Sequence, residues 1–555
     1  MSPAREEKMR ALALACLLVS AAAGALPAAT IRVPADWPTL RAAIDQAVTG
    51  DTVLVAPGIY TGPGNRDLLI DGKDIAIIGA GGSAQTVLDL SLPSGWRHGF
   101  TLRGQTRQML LRGFTICHGY GEYVVSSGGI NIEDASPTLE DLQIIDCNVS
   151  ENFGPSGAGI RCLNSSPLLR DILLQNCEGF AAVHLEDGAP ELEDMTIRNC
   201  DSRGMNCWNS GAALTRVSFI ENSVYGYLGG ALLVSGAASP TLRDCLFQDN
   251  YAYPEIMDMG YGGAIACGGC SPVIERTVFR GNMCAMGGAI SLDGCEGVVL
   301  STILFADNHA ERGAALYLRS SSVLADNLTF AENGADWVFG MHDPDAPAGA
   351  IYGQSSSSLS LNASIVALTA QGPGLHMAAP ASADVACSDF FANAGGHTSG
   401  TVGNIIGLNG NISVDPLFCD APGGDYTLDA ASPCLPANND CHVQMGAFGW
   451  GCGTTAAEET APAAFAFAPP QPNPFNPKAT LRFALPRAAA VDLVIFDVNG
   501  RQVRRLLAGE QRPAGHHALD WNGRDESGRA LPSGVYFARF AAGGFTAERR
   551  LVLLR

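Results

Sequence analysis

One column of charges in this sequence has the composition that metal-assisted or acid–base chemistry uses. A block that recurs along the chain carries Asp141, Asp171, Asp194, Arg216, Asp244 and Arg276 at one equivalent, outward-facing position. Three carboxylates stacked on one another repel unless a cation or a neighbouring Arg offsets them. Ca2+ held between Asp141, Asp171 and Asp194, with Arg216 as a general base, is the sharpest catalytic arrangement on offer. A Lys base on the repeats is excluded, because the three Lys of the chain are Lys8, Lys73 and Lys478, all outside them. His118, His184 and His309 fall at different repeat positions without a triad-like context and read as loop histidines. The bland alternative is a solvated stripe of alternating charge that discourages aggregation. We adopt that alternative. No catalytic, cofactor-binding or metal residue is assigned, and Ca2+ is the one ion kept in view.

The elements that would position such residues are short strands. The blocks SPTLEDLQIIDC (136–147), SPLLRDILLQNC (166–177), APELEDMTIRNC (189–200), SPTLRDCLFQDN (239–250) and SPVIERTVFRGN (271–282) repeat one pattern, with weaker copies between and after them. Their last residues form the column Cys147, Cys177, Cys200, Asn222, Asn250, Asn282, Asn308, Asn333, spaced 22 to 32 residues apart. A fixed block with variable spacing is a solenoid whose turns carry inserted loops. Within the block, apolar residues alternate with polar ones, as in half-buried strands. One inward column is Leu142, Ile172, Met195, Val217, Cys245, Thr277, Ile303, Leu328. The next is Ile144, Leu174, Ile197, Phe219, Phe247, Phe279, Phe305, Phe330. Coils stack about 4.8 Å apart, so the five Phe should form one interior row.

The Asn column suits an amide ladder at a bend, and stacked Cys147, Cys177 and Cys200 have room for one disulfide. A second element, GGI (128–130), AGI (158–160), GGAL (229–232), GGAI (262–265), GGAI (287–290), GAAL (313–316) and GAI (349–351), precedes each block and marks a tight corner. The long insertions 119–127 and 251–261 are the segments that could wall a groove over the Asp column.

At the N-terminal end Leu40, Ala43, Ile44, Ala47 and Val48 spell an amphipathic helix, between Pro38 and Gly50, that would cap the open stack. At the other end Cys387, Cys419, Cys434, Cys441 and Cys452 cluster in Gly-, Asn- and Pro-rich sequence. The disulfide candidates there are Cys419, Cys434, Cys441 and Cys452, paired 419–434 and 441–452, since each pair closes a short loop.

Residues 1–29 read as an export signal: Lys8 and Arg10 precede an apolar run too short to span a membrane. Exported cysteines oxidise where geometry permits. Residues 30–452 are then the solenoid with its caps, 453–464 a linker, and 465–555 a small β-sandwich. The charge changes sign across the linker. Residues 465–555 carry 13 Lys and Arg against 7 Asp and Glu, while residues 30–464 carry 18 against 46. A body that acidic repels nucleic acid and anionic lipid, and no segment of the mature chain reads as transmembrane.

Three stretches carry resemblances. WPTLRAAIDQAVTGDTVLVAPGIYTG (37–62) resembles the opening of pectin-lyase-like, right-handed parallel β-helix proteins. The GGA[I/L] elements and the pairs Phe219–Asn222, Phe247–Asn250, Phe279–Asn282, Phe305–Asn308 and Phe330–Asn333 resemble repeats of polymorphic outer membrane proteins. PQPNPFNPKATLRFALP (470–486), VIFDVNGRQVRRL (494–506) and HHALDWNGRDESGRALPSGVYFARF (516–540) resemble the Ig-like domain of flagellar hook-capping proteins, itself similar to the type IX secretion sorting domain. These imply an all-β chain: a right-handed parallel β-helix followed by an Ig-like sandwich. They imply an adhesin-like or envelope-associated protein, secreted or at a bacterial cell surface in association with the outer membrane. Its partners would be surface glycans or proteins and, through the sandwich, the secretion machinery. The alternative is a polysaccharide lyase or glycoside hydrolase acting on an acidic polysaccharide, since many such helices are enzymes.

Overall fold

In a computed structural model, the structure describes residues 28–91, 95–121, 127–149, 156–225, 228–253, 260–334, 349–452, 465–468, 470, 475, 478–498 and 500–553. The export-signal and linker expectations therefore lie outside the described residues, apart from residues 28 and 29. The chain divides into two compact units, Met1–Gly453 and Thr454–Arg555.

The first unit is a parallel β-helix. One parallel sheet runs from strand Thr30–Val33 to strand Asp389–Phe391, and a second from Leu68–Asp71 to Thr398–Gly400. Neighbouring strands come from consecutive coils in register, as in Phe219↔Phe247, Phe247↔Phe279 and Phe279↔Phe305. The Phe row forms as the alternation predicts. Rings of Phe219, Phe247, Phe279, Phe305 and Phe330 stack 4.7, 4.9, 5.1 and 4.8 Å apart, within 11° of parallel, and are fully buried.

Each coil bends at three columns of left-handed backbone. The first holds Asp134, Asn164, Asp187, Asn209 and Gly236; the second Gly113, Asp141, Asp171, Asp194 and Arg216; the third His118, Asp146, Asn176, Asn199 and Glu221, all with φ between +46° and +80°. Asp, Asn and Gly tolerate this conformation best, which is why they recur there. The Gly-rich element answers a different demand. A Cβ on Gly263 would collide with the Gly288 carbonyl of the next coil.

Just past the third corner the predicted ladder forms. The Nδ2 of Asn222, Asn250, Asn282 and Asn308 donates to the Oδ1 of the next Asn at 3.0, 3.0, 3.0 and 2.9 Å. The same Nδ2 groups also donate back, Asn250 to Phe219 O and Asn282 to Phe247 O at 2.9 and 3.0 Å. In the early coils cysteine takes this place with a thiol, Cys147 Sγ reaching Ile116 O at 3.9 Å and Cys177 Sγ reaching Ile144 O at 3.8 Å. Cys147, Cys177 and Cys200 are buried free thiols, not a disulfide.

The N-terminal helix spans Leu40–Gln46, capped by Thr39 Oγ1 on Ala42 N and buried through Leu40, Ala43 and Ile44. It is shorter than expected: Val48 lies beyond it and is exposed. Lys73 Nζ closes its C-terminus by donating to Ile44 O and Ala47 O, at 2.5 and 3.0 Å.

The coil pairing ends at the Asp389–Ile412 bridge, and residues 418–452 continue from the end of the stack. They fold back along its outer side. Asn327 Nδ2 donates to Gln444 O, Ala447 N donates to Thr329 Oγ1, and Tyr426 Oη donates to Glu332, so 418–452 covers coils that precede it by about a hundred residues. That path changes the disulfides. Cys387 pairs with Cys441 and Cys419 with Cys452, in place of 419–434 and 441–452. Short loops were the wrong guide, because the segment packs against distant coils. Cys434 stays a buried thiol and donates to Asp389 Oδ2 at 3.3 Å.

The second unit holds two antiparallel sheets: Ala466–Phe467, Ala479–Leu485 and Gly515–Trp521; and Gln502–Arg512, Ala489–Asp497, Gly534–Ala542 and Phe545–Leu553. Phe475, Phe483, Trp521, Tyr536 and Phe540 fill the core. Among the described residues no helix is long and apolar enough to cross a membrane.

Two outcomes follow from these contacts. Asn282→Ala removes the bond to Phe247 O and the acceptor shared by Asn250 N and Nδ2, and should cost about 2–4 kcal/mol in denaturant midpoint analysis. Asn282→Cys should cost less, since early coils run on Cys there. Burial lifts the Asp389 carboxyl to about 7, against bonds from Val414 N and Cys434. Its folded pKa lies above the unfolded value of about 3.9. The stability it confers is therefore full below about pH 4 and lost as pH rises through 7. Melting curves across that window should flatten in Asp389→Asn.

Candidate functional site

The charged column lies at the second left-handed corner of each coil. Its composition is therefore a backbone requirement before it is chemistry. Arg216 forms a two-pronged pair with Asp194, at 2.7 and 2.9 Å, and Arg276 does the same with Asp244, at 2.9 and 3.1 Å. Asp141 instead accepts from Ser83 Oγ at 2.7 Å. The bond that Arg216 donates to Asp194 raises its pKa, which is the wrong direction for a base. The insertions 119–127 and 251–261 leave the coil after the third corner and not from this one, and residues 122–126 and 254–259 of them lie outside the described residues.

That third edge is where aromatic surface gathers. Strands Ser223–Tyr225 and Tyr251–Tyr253 pair there, outside the two main sheets. Tyr225 stacks on Tyr253 with centroids 4.6 Å apart and 6° between planes, and remains 81% exposed. Four coils before Tyr225, Tyr120 stacks on Trp96 at 5.5 Å and 5°, and Trp96 is 51% exposed. In each pair one ring is exposed and the other half-buried, and the stacked rings form a rigid apolar surface with polar edges.

Between these lies a buried polar row that sequence reasoning missed. Asn131, Arg161, His184 and Asn206 occupy one register of the second sheet, pointing away from the interior yet nearly inaccessible. His184 is no loop residue: it sits in strand Ala181–Glu186, bonded to Asn206 Nδ2 at 2.9 Å and Glu186 Oε2 at 3.3 Å. Burial lowers its pKa, against the pull of Glu186. Burial likewise lowers Arg161, against Glu133 and Glu186, and holds Arg203 down to about 10. The available signal was a polar residue following the first aliphatic in GGIN, AGIR and AAVH.

His118 is also not in a loop, since it turns the third corner directly after strand Leu110–Cys117. Among the described residues, Asp89, Cys117 and His118 are the one set of three ligand types close enough to share an ion. His309 stays apart, its Nε2 3.3 Å from Asp307.

Residues 475–543 match the FlgD Ig-like domain. No curated protein matches the chain. Among solved structures, the chain is similar to the catalytic unit of a thermostable GH87 alpha-1,3-glucanase from Streptomyces thermodiastaticus strain HF3-3. That match has 15% identity, covers 71% of each chain and has a TM-score of 0.35. It is also similar to the Siphovirus 9NA tailspike receptor binding domain, at 11% identity, over 94% of this chain and 98% of that one, with a TM-score of 0.23. Neither likeness carries a function to this chain.

If Arg216 serves the corner and not catalysis, Gly should replace it freely. Arg216→Gly gives up an exposed ion pair worth under about 1 kcal/mol. It relieves a left-handed L-residue worth about 1–2 kcal/mol. Its melting point should match the parent, while Arg216→Val falls by the equivalent of about 1–2 kcal/mol.

Proposed function

We propose that this protein is a non-catalytic, secreted or cell-surface recognition protein of an adhesin-like or envelope-associated kind. It binds surface glycans or proteins along the loop-bearing third edge. The observation that carries this reading is the exposed Tyr225–Tyr253 stack on that edge, beside a charged column whose Arg216 and Arg276 are already committed to carboxylates. Aromatic platforms give affinity without bond-making machinery. The C-terminal Ig-like unit, with its opposite charge, serves as a sorting or anchoring module that engages the secretion machinery.

The enzyme reading keeps one foothold. Arg161 has its pKa lowered by burial and stands 3.7 Å from Glu133, which makes it a better candidate base for a polysaccharide lyase than Arg216. One experiment separates the two. Purified protein is screened against glycan and surface-protein panels and assayed for unsaturated sugar release from acidic polysaccharides. A bound ligand whose affinity drops about tenfold in Tyr225→Ala, or about 1.4 kcal/mol, is the expected result. Sugar release abolished by Arg161→Ala would replace the recognition reading with the lyase.

A further inference from the structure

Asp89 and Cys117 face each other across adjacent coils, on the outer side of the large sheet. Cys117 ends its strand, and the left-handed turn at His118 (φ +59°) swings the imidazole back over this pair. His118 Nδ1 lies 2.9 Å from Asp89 Oδ1 and 3.0 Å from Ser91 Oγ, and Ser91 Oγ lies 2.6 Å from Asp89 Oδ1. One ligand atom each from Asp89, Cys117 and His118 falls within 4.8 Å of the others. On the far side of the ring, Nε2 stands 3.9 Å from Asp146 Oδ2. Arg97 is the nearby cation, and its side chain is turned to backbone, donating to the carbonyls of His118 and Gly95.

The donor set selects its ion. Ca2+ and Mg2+ take oxygen ligands, whereas one imidazole, one thiolate and one carboxylate suit Zn2+. Tetrahedral Zn2+ with bonds of about 2.0–2.3 Å separates its ligands by roughly 3.3–3.7 Å, a spacing these atoms already bracket. Carboxylates on the second ring nitrogen orient metal-bound imidazoles, and Asp146 stands on that side of His118, at ion-pair distance. We propose that Asp89, Cys117 and His118 bind Zn2+, with Ser91 Oγ or water completing the tetrahedron and Asp146 orienting the imidazole.

Binding exchanges one proton for one metal bond. The Cys117 thiol releases H+ to solvent as its sulfur bonds Zn2+, with no change of oxidation state. The carboxylates of Asp89 and Asp146, 2.9 and 3.9 Å from the two ring nitrogens of His118, bring negative charge that favours a dication. The ion would tie the coil of Asp89 to the coil of Cys117 and His118. Because Arg97 N and O are bonded to Tyr120, and Arg97 Nε to His118 O, it would also anchor the Trp96–Tyr120 platform. The site does not depend on the recognition reading.

The test uses the full chain stripped with chelator and titrated with Co2+, whose bonds to thiolate give a near-ultraviolet charge-transfer band. One Co2+ per chain should produce that band, Zn2+ should displace it, and Cys117→Ser should abolish it. His118→Gly keeps the left-handed corner without strain, so it should fold and yet lose at least tenfold in Zn2+ affinity. Asp146→Asn should keep the band and weaken binding about tenfold. No band, or a band that persists in Cys117→Ser, overturns the proposal and leaves His118 as an ordinary ion pair between two aspartates. Circular dichroism melting on each variant confirms that a lost band is not a lost fold.

Discussion

Every coil of this molecule must give its backbone hydrogen bonds to the coils above and below it. That single constraint fixes what each position of the repeat is allowed to be. A strand residue points in and packs, as the Phe row does, or points out. A corner residue must accept left-handed backbone, and the three corner columns are filled mainly by Asp, Asn and Gly. The residue past the third corner must satisfy a buried carbonyl of its neighbour, and Asn or Cys does so. The inserted loops are what remains, and their length varies from coil to coil.

The fold was legible because this constraint repeats. Alternation gave the interior columns, and a Phe every coil gave their register. The Asn column could be read as a ladder because an amide both donates and accepts along the axis. The left-handed corner at the charged column was not read. Asp141, Asp171 and Asp194 look like a metal or acid–base array to anyone who sees charge before backbone, and left-handed conformation leaves no periodicity of its own in a sequence. Arg216 at the same corner, locked to Asp194, shows the column to be geometry with charge added afterwards.

The site was less legible, for a physical reason. Its parts lie where strict repetition stops. Tyr225 and Tyr253 belong to short strands outside the two sheets, and Asp89, Cys117 and His118 come together only because a corner turns an imidazole backwards. The C-terminal segment shows the same limit. Spacing along the chain suggested local staples, but packing of 418–452 against coils near residues 327–332 decided which sulfurs met. Contacts between segments so far apart carry no signature in local sequence.

The amide ladder has a sense of direction. Each Asn offers its side-chain donor toward the coil that follows, and each carbonyl oxygen receives from the coil before, so five amide dipoles point the same way along the axis. A chain emerging from synthesis lays these coils down in that same order. The last coil in place exposes hydrogen-bond donors, the groups proteins least tolerate unpaired. The arriving coil brings the acceptor. Growth from the N-terminal end therefore always presents a demand that the next stretch of chain is built to meet, and the rod templates its own elongation one turn at a time.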